Sequence, residues 1–250
     1  VVVYPLGVFQ AKIEPCPNYL PTQLRPAPGC GYRGPTMKIL AFETSGLLGS
    51  VALVETVNGK LVSTIERETP ADQRTARSLL PATHELLKES GWRPADIELV
   101  AVSTGPGSFT GLRIGVVAAK TFAYAVGAKL VGVQTLAAMA EPLAERPSRV
   151  WSILDAQRQE LFAASFDPAR SIIDQAEPST AVTPIDTWLA RLATGDQVIG
   201  PPLAKLAQSL PAGVSVADQR LWNPTAAAVG RLGIALFQRG GEISPLELVP

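Results

Sequence analysis

Three stretches of this chain carry side chains and backbone that chemistry can use. The first is Glu43-Thr44-Ser45-Gly46, at the corner between two apolar runs. A carboxylate, two hydroxyls and a glycine there can cradle an anion with free amides. A plain tight turn asks for the same residue types. The second is Gly105-Pro106-Gly107-Ser108-Phe109-Thr110-Gly111, between a strand-like and a helix-like segment. A loop of that kind aims backbone amides at an anion through the helix N-terminus. Its G-x-G-x-x-x-G spacing matches neither the dinucleotide fingerprint nor the phosphate loop that needs Gly-Lys-Ser/Thr. Ser108 and Thr110 also suit helix capping. Thr44, Ser45, Gly105, Gly107 and Ser108 are therefore the candidate contacts for an anion or a nucleotide. The third stretch, Asp155-Ala156-Gln157-Arg158-Gln159-Glu160, holds carboxylates that could be catalytic, but it reads first as a polar hairpin turn. His84 has no acid partner facing it at helical spacing, so it reads as a packing or solvent-edge residue. No residue stands out as catalytic.

The elements that would position these stretches follow from periodicity. Lys38–Thr44, Ser50–Glu55 and Leu61–Glu66 alternate like strands, and Asn58-Gly59 between the last two is a strong hairpin signal. Gln73–Ser90 has helical spacing, with Leu79, Leu80, His84, Leu86 and Leu87 near one face and Gly91 as its stop. Pro81 inside it should kink or break it. Leu99–Thr104 is a buried strand, followed by a helix to about Val126 that Gly127 ends. Lys129–Val133 reads as a strand and Thr135–Leu143 as a helix. Val150–Asp155 and Glu160–Phe166 read as a strand pair. Helices over Ile185–Leu192 and Thr225–Gln238 and short strands at Val198–Ile199 and Val214–Ala217 complete the chain. Strands first in series, then alternating with helices, give an α/β fold with a mixed sheet under helical cover.

The helix after the glycine-rich loop is apolar on nearly all sides. Its charges, Arg113 and Lys120, fall on one stripe. Such a helix must be covered on most of its surface, and one sheet covers only one face. Gly111, Gly115, Ala118 and Ala119 permit close approach. Burial inside the fold and contact with another subunit both remain open. Leu112, Gly115, Val116, Ala119 and Phe122, with Leu80, form the candidate interface.

Composition narrows the classes further. The chain has 250 residues, with 22 basic and 22 acidic side chains, so its formal net charge is zero. Phosphate neutralisation supplies most affinity for nucleic acid, so binding of RNA by this chain alone is disfavoured. One histidine, and cysteines only at Cys16 and Cys30, leave no paired-histidine or cysteine-built metal site. No metal and no cofactor is expected. No apolar run reaches membrane-spanning length and no signal peptide is legible, which fits a cytoplasmic protein. Residues 1–36 are rich in proline and glycine and read as disordered. Two readings of them stay open: an extension ahead of a start at Met37, or a flexible tail.

Taken together, these segments resemble the TsaB (YeaZ) family. The resemblance rests on Ile39-Leu40-Ala41-Phe42-Glu43-Thr44-Ser45, Ser50-Val51-Ala52-Leu53, Leu79-Leu80-Pro81 and the run Gly105 to Gly115. Ala119-Lys120, Val131-Gly132-Val133, Leu136, Leu154-Asp155-Ala156 and Arg158 continue it. It is strong over about residues 37–166 and loose beyond. It implies a two-lobed actin-like, sugar-kinase-like fold, related to ribonuclease H. The first lobe would span 37–143 and the smaller second lobe 144–250, with the closing helix 225–238 packing back on the first. It implies a non-catalytic subunit that dimerises with TsaD, with the ATPase TsaE docking on the pair. The pair would build N6-threonylcarbamoyladenosine on the adenosine beside the anticodon of tRNAs reading A-starting codons, and tRNA would be met only through the complex. A homodimer when alone also stays open. In such families the helix after the glycine-rich loop forms the dimer contact.

Two rival functions compete with this one. A nucleotide-binding phosphotransferase of the same fold needs a metal-holding acid and a second phosphate loop. Glu43 could be the acid, but Gly200-Pro201-Pro202 is a poor loop because proline lacks an amide donor. A metalloprotease fails because its helix needs two histidines. The chain also departs from the family. Glu43 stands where an Asp is usual, and Gln157 replaces an Arg. The usual Pro-x-Tyr-Leu-Arg segment near the C-terminus is missing, so truncation is the expectation there. The catalytic paralogue carries His-x-x-x-His where Asp72-Gln73-Arg74-Thr75-Ala76-Arg77 stands here.

Overall fold

The computed structural model describes residues 36–69, 75–175, 181–244 and 247–249. The expectations for residues 1–35, Asp72-Gln73-Arg74 and both cysteines lie outside them. Ten strands and seven helices follow one another among the described residues. In order they are β1 (Thr36–Glu43), β2 (Ser50–Val57), β3 (Lys60–Glu68), α1 (Thr75–Ser90), β4 (Leu99–Gly105), α2 (Phe109–Val126), β5 (Lys129–Gln134) and α3 (Thr135–Ala140). Then come β6 (Val150–Asp155), β7 (Glu160–Phe166), α4 (Ile172–Gln175), β8 (Ala181–Pro184), α5 (Ile185–Leu189), β9 (Gln197–Ile199), α6 (Leu203–Leu206), β10 (Ser215–Val216) and α7 (Ala226–Gln238).

The strands form two five-stranded sheets, ordered β3-β2-β1-β4-β5 and β10-β9-β6-β7-β8. The second order, reversed, repeats the first. In each sheet an antiparallel three-strand meander pairs its first strand in parallel with the next strand along the chain. This is the α/β, actin-like architecture that the resemblance implies. The repeat has no counterpart in short-period sequence similarity.

Local chemistry explains the boundaries. Ile39, Leu40, Ala41 and Phe42 are fully buried, so the central strand β1 is apolar on both faces. Asn58 and Gly59 turn the β2–β3 hairpin with φ of 53° and 72°, as a primed turn requires. Helix α2 begins at Ser108, whose hydroxyl accepts from Gly111 N–H at 3.2 Å, and ends at left-handed Gly127. Helix α1 runs unbroken through Pro81, where a break was an alternative. The segment read as a helix to Leu192 is helical only to Leu189.

Helix α7 covers one face of the first sheet, against β1, β2 and β4. Thr225 caps it, and the Glu66 carboxylate accepts from Ala226 N–H at 2.7 Å. Helices α1 and α2 cover the other face. One apolar core runs from Ile39, Ala101 and Val131 of the first sheet through α3 and α7 to Val150, Phe166 and Ile199 of the second. A separate core under the second sheet centres on Trp188. The outer strand β3 is open along its length, with Leu61, Val62 and Ile65 exposed.

Candidate functional site

The corner at the end of β1 is closed. Glu43, Thr44 and Ser45 are at most 4% exposed. The Glu43 carboxylate accepts from Ser45 N–H through Oε1, while Oε2 sits in the interior without a partner. Burial pushes its pKa up, against the lowering effect of hydrogen bonds from Ser45 and Ser103. The glycine-rich loop folds onto this corner. Ser108 N–H donates to the Ser45 carbonyl at 2.7 Å, Gly111 N–H to Ser108 Oγ and Leu112 N–H to the Ser108 carbonyl at 2.9 Å. Of the candidate anion contacts, Thr44 and Ser45 are interior, Gly105 and Gly107 half-buried and Ser108 exposed. The Ser108, Gly111 and Leu112 amides at the start of α2 are thus engaged within the protein. His84 is exposed on α1.

Helix α2 turns its small residues inward. A Cβ at Gly111 would overlap the Thr44 carbonyl, and one at Gly115 would overlap Thr44 Oγ1. Leu112, Val116 and Ala119 are at most 6% exposed. Four of the six candidate interface residues, Leu112, Gly115, Val116 and Ala119, therefore seat α2 on its own sheet and are not open to a partner. The physical reason is the close approach of helix to strand end, which consumes the small-residue stripe. Leu80, at 56% exposed, and half-buried Phe122 remain on the outside.

The open face lies one step around the helix. A groove of about 590 Å³ runs between α1 and α2, floored by Ile114, Ala118 and Phe122 and edged by Leu80, Val117 and Thr121. Val117 is 62% exposed and Phe109 is 65% exposed. Arg113 lies over the Phe109 ring at 3.8 Å, at one end of the groove. At 18 residues α2 is also long and apolar enough by composition to cross a membrane, a length that the sequence pattern alone did not suggest. Its inward stripe packs on β4, and Lys120 donates to the Leu248 carbonyl at 3.0 Å. Those contacts account for the apolar stripe that covers the sheet, Leu112, Gly115, Val116, Ala119 and Ala123.

The third stretch forms the β6–β7 turn. Gln157, Arg158 and Gln159 have φ of 69°, 51° and 63°. Three successive left-handed residues without a glycine are costly, roughly 1–2 kcal/mol each. Asp155 accepts from Gln157 N–H at 2.7 Å and so holds the turn rather than facing a substrate alone. Among the described residues, no three His, Cys, Asp or Glu side chains come together as a metal site. Two features are not visible in the sequence alone. One is the outward face of α2, because its few polar side chains, Thr110, Arg113, Lys120 and Thr121, do not fix the rotation of an otherwise apolar helix. Lys205 meets Arg158 only through the folding of α6 beside the turn.

Known proteins place this geometry. A family model described as TsaD, tRNA N6-adenosine threonylcarbamoyltransferase, matches residues 69–217. The tRNA threonylcarbamoyladenosine biosynthesis protein TsaB of Bacillus subtilis is 29% identical over 165 residues, 65% of this chain and 69% of that protein. TsaB of Escherichia coli is 34% identical over 150 residues, 58% of this chain and 62% of that protein. YeaZ from Pseudomonas aeruginosa has the same fold, with a TM-score of 0.69 at 24% identity over 86% of this chain and 98% of that one. Fold and match define an actin-like α/β protein related to the TsaD family model. The chain belongs to the TsaB (YeaZ) family.

Proposed function

We propose that this chain is a non-catalytic partner subunit in the formation of N6-threonylcarbamoyladenosine on tRNA, and that it pairs with a TsaD subunit through the α1–α2 groove. The observation that carries the reading is that groove, apolar and open between two helices of a family relative. Large exposed apolar grooves mark sites of protein contact. The transferase chemistry then belongs to the partner, with TsaE docking on the pair and the adenosine beside the anticodon as acceptor. The closed corner at Glu43 speaks against a phosphotransferase, since the acid that would hold its metal is buried.

The test is light scattering after gel filtration, with the chain alone and mixed with TsaD from the same organism. A new species at the heterodimer mass, absent with Val117→Glu, is the expected result. Two folded proteins that never co-elute would sink the pairing. ATP turnover by the isolated chain would then favour the phosphotransferase.

A further inference from the structure

A second cavity lies far along the chain from the α1–α2 groove, between the β6–β7 turn and α6. It measures about 410 Å³, within the range of small-ligand pockets. Its floor is apolar: Pro201, Pro202 and Leu206. Arg158 comes to it from the turn and Lys205 from α6. Among the described residues neither cation has an acidic partner within 4.0 Å, whereas Arg149 and Arg231 are each paired. Asp155 lines the same cavity, with its carboxylate engaged by Gln157 N–H. Two unpaired cations beside one engaged carboxylate leave the cavity with a positive surplus.

The turn that presents Arg158 is held firmly. Ala156 N–H donates to the Glu160 carbonyl at 3.0 Å, and Ile185 N–H donates to the Gln159 carbonyl at 3.1 Å. The floor dictates how an anion would be held. Pro201 and Pro202 offer no amide donors, so side chains must do the work. A guanidinium grips phosphate oxygens in pairs, and an ammonium adds a point charge. The proline rings and Leu206 add an apolar surface that a bare phosphate would not use but a base or ribose would.

We infer that this cavity binds a nucleoside phosphate, its phosphate held by Arg158 and Lys205 and its apolar face on Pro201 and Pro202. The phosphate could belong to a free nucleotide or to an RNA strand. The site is independent of the pairing proposed above, since a chain that never met TsaD would still bind here.

The test is isothermal titration of the full chain, at low salt, with two probes: AMP and an unmodified anticodon stem-loop RNA. Binding of either is expected, weakened about tenfold by removal of each cation that bonds the phosphate. Arg158→Ala with Lys205→Ala removes both cations, while Lys60→Ala on β3 leaves binding unchanged. Lys205→Ala alone, on an exposed helix, guards against a variant that fails to fold, and melting curves confirm folding. AMP binding identifies a free nucleotide as the source. Binding of RNA only identifies a strand, and the double variant then lowers the salt slope by roughly 1.4. No heat with either probe, or binding undiminished in the folded double variant, overturns the inference.

Discussion

Two buried carboxylates give the two sheets opposite responses to pH. Glu43 in the first sheet has its pKa raised by burial above the ordinary 4.5. The native state therefore keeps a proton that the unfolded chain releases, so stability falls as pH rises from that value towards the folded pKa. Each unit of elevation corresponds to about 1.4 kcal/mol. Glu43→Gln, which keeps the acceptor for Ser45 N–H, should gain melting temperature relative to the parent as pH rises. A variant that loses relative stability over the same range would show that Glu43 is ionised. Asp196 beside the second sheet is the reverse. Burial pushes it up, but Arg149, Ala193 N–H and the Trp151 indole together hold its pKa below 3.8. Its contribution is present at neutral pH and lost as pH falls through the folded value. Asp196→Ala strands two side-chain donors and should cost about 3 kcal/mol by urea denaturation at pH 7. Neither environment is legible in the sequence. Glu43 announces itself as a polar residue in a turn, but its burial depends on the loop from Ser108 folding over it. Nothing in the local sequence of Asp196 points to Arg149 or Trp151, which come from another part of the chain.

At the scale of elements, the phase of α2 decides which residues can meet a partner. Gly115→Glu forces a side chain into Thr44 and should cost roughly 3 kcal/mol or more by thermal melting. Val117→Glu points into the open groove and should change stability by no more than about 0.5 kcal/mol. A folded Gly115→Glu protein with parental melting would contradict the inward placement of that stripe. Element boundaries are the most legible feature of the sequence. The Asn58-Gly59 turn, the Ser108 and Thr225 caps and the Gly127 stop all fall where their residue types demand. The face of α2 is not legible, because an apolar helix shows no polar side strong enough to fix its rotation. Small residues at every fourth position suit close packing on a strand end as well as on a second subunit.

For the whole molecule, the repeated strand order and the shared core tie distant parts together. Ile39, Ala41, Ala101 and Val131 of the first sheet and Ala226, Val229, Leu232 and Ile234 of α7 occupy one apolar cluster with the second sheet. Helix α7 and strands β1 and β4 should therefore open as one unit in native-state hydrogen exchange, with similar free energies. Amides of α7 exchanging well before those of β1 would show that the helix opens separately. The class of fold is readable from strands in series followed by strands alternating with helices. The doubling is not, because the two halves share a path and not a residue pattern. The formal charge of zero argues against RNA binding by the chain as a whole. A total says nothing about where unpaired cations gather, and Arg158 and Lys205 meet in one cavity.

The position of α7 sets a timetable for synthesis. The first sheet is complete once β5 leaves the ribosome, but the helix that covers one of its faces begins roughly 90 residues later. At elongation speeds of about 5–20 residues per second, that face stays bare for on the order of 5–20 s. During this interval Ala41, Val54 and Ala101 are presented to chaperones instead of to α7. The nascent chain is therefore most exposed to misassembly in the middle of its translation, after its first sheet exists and before its last helix arrives.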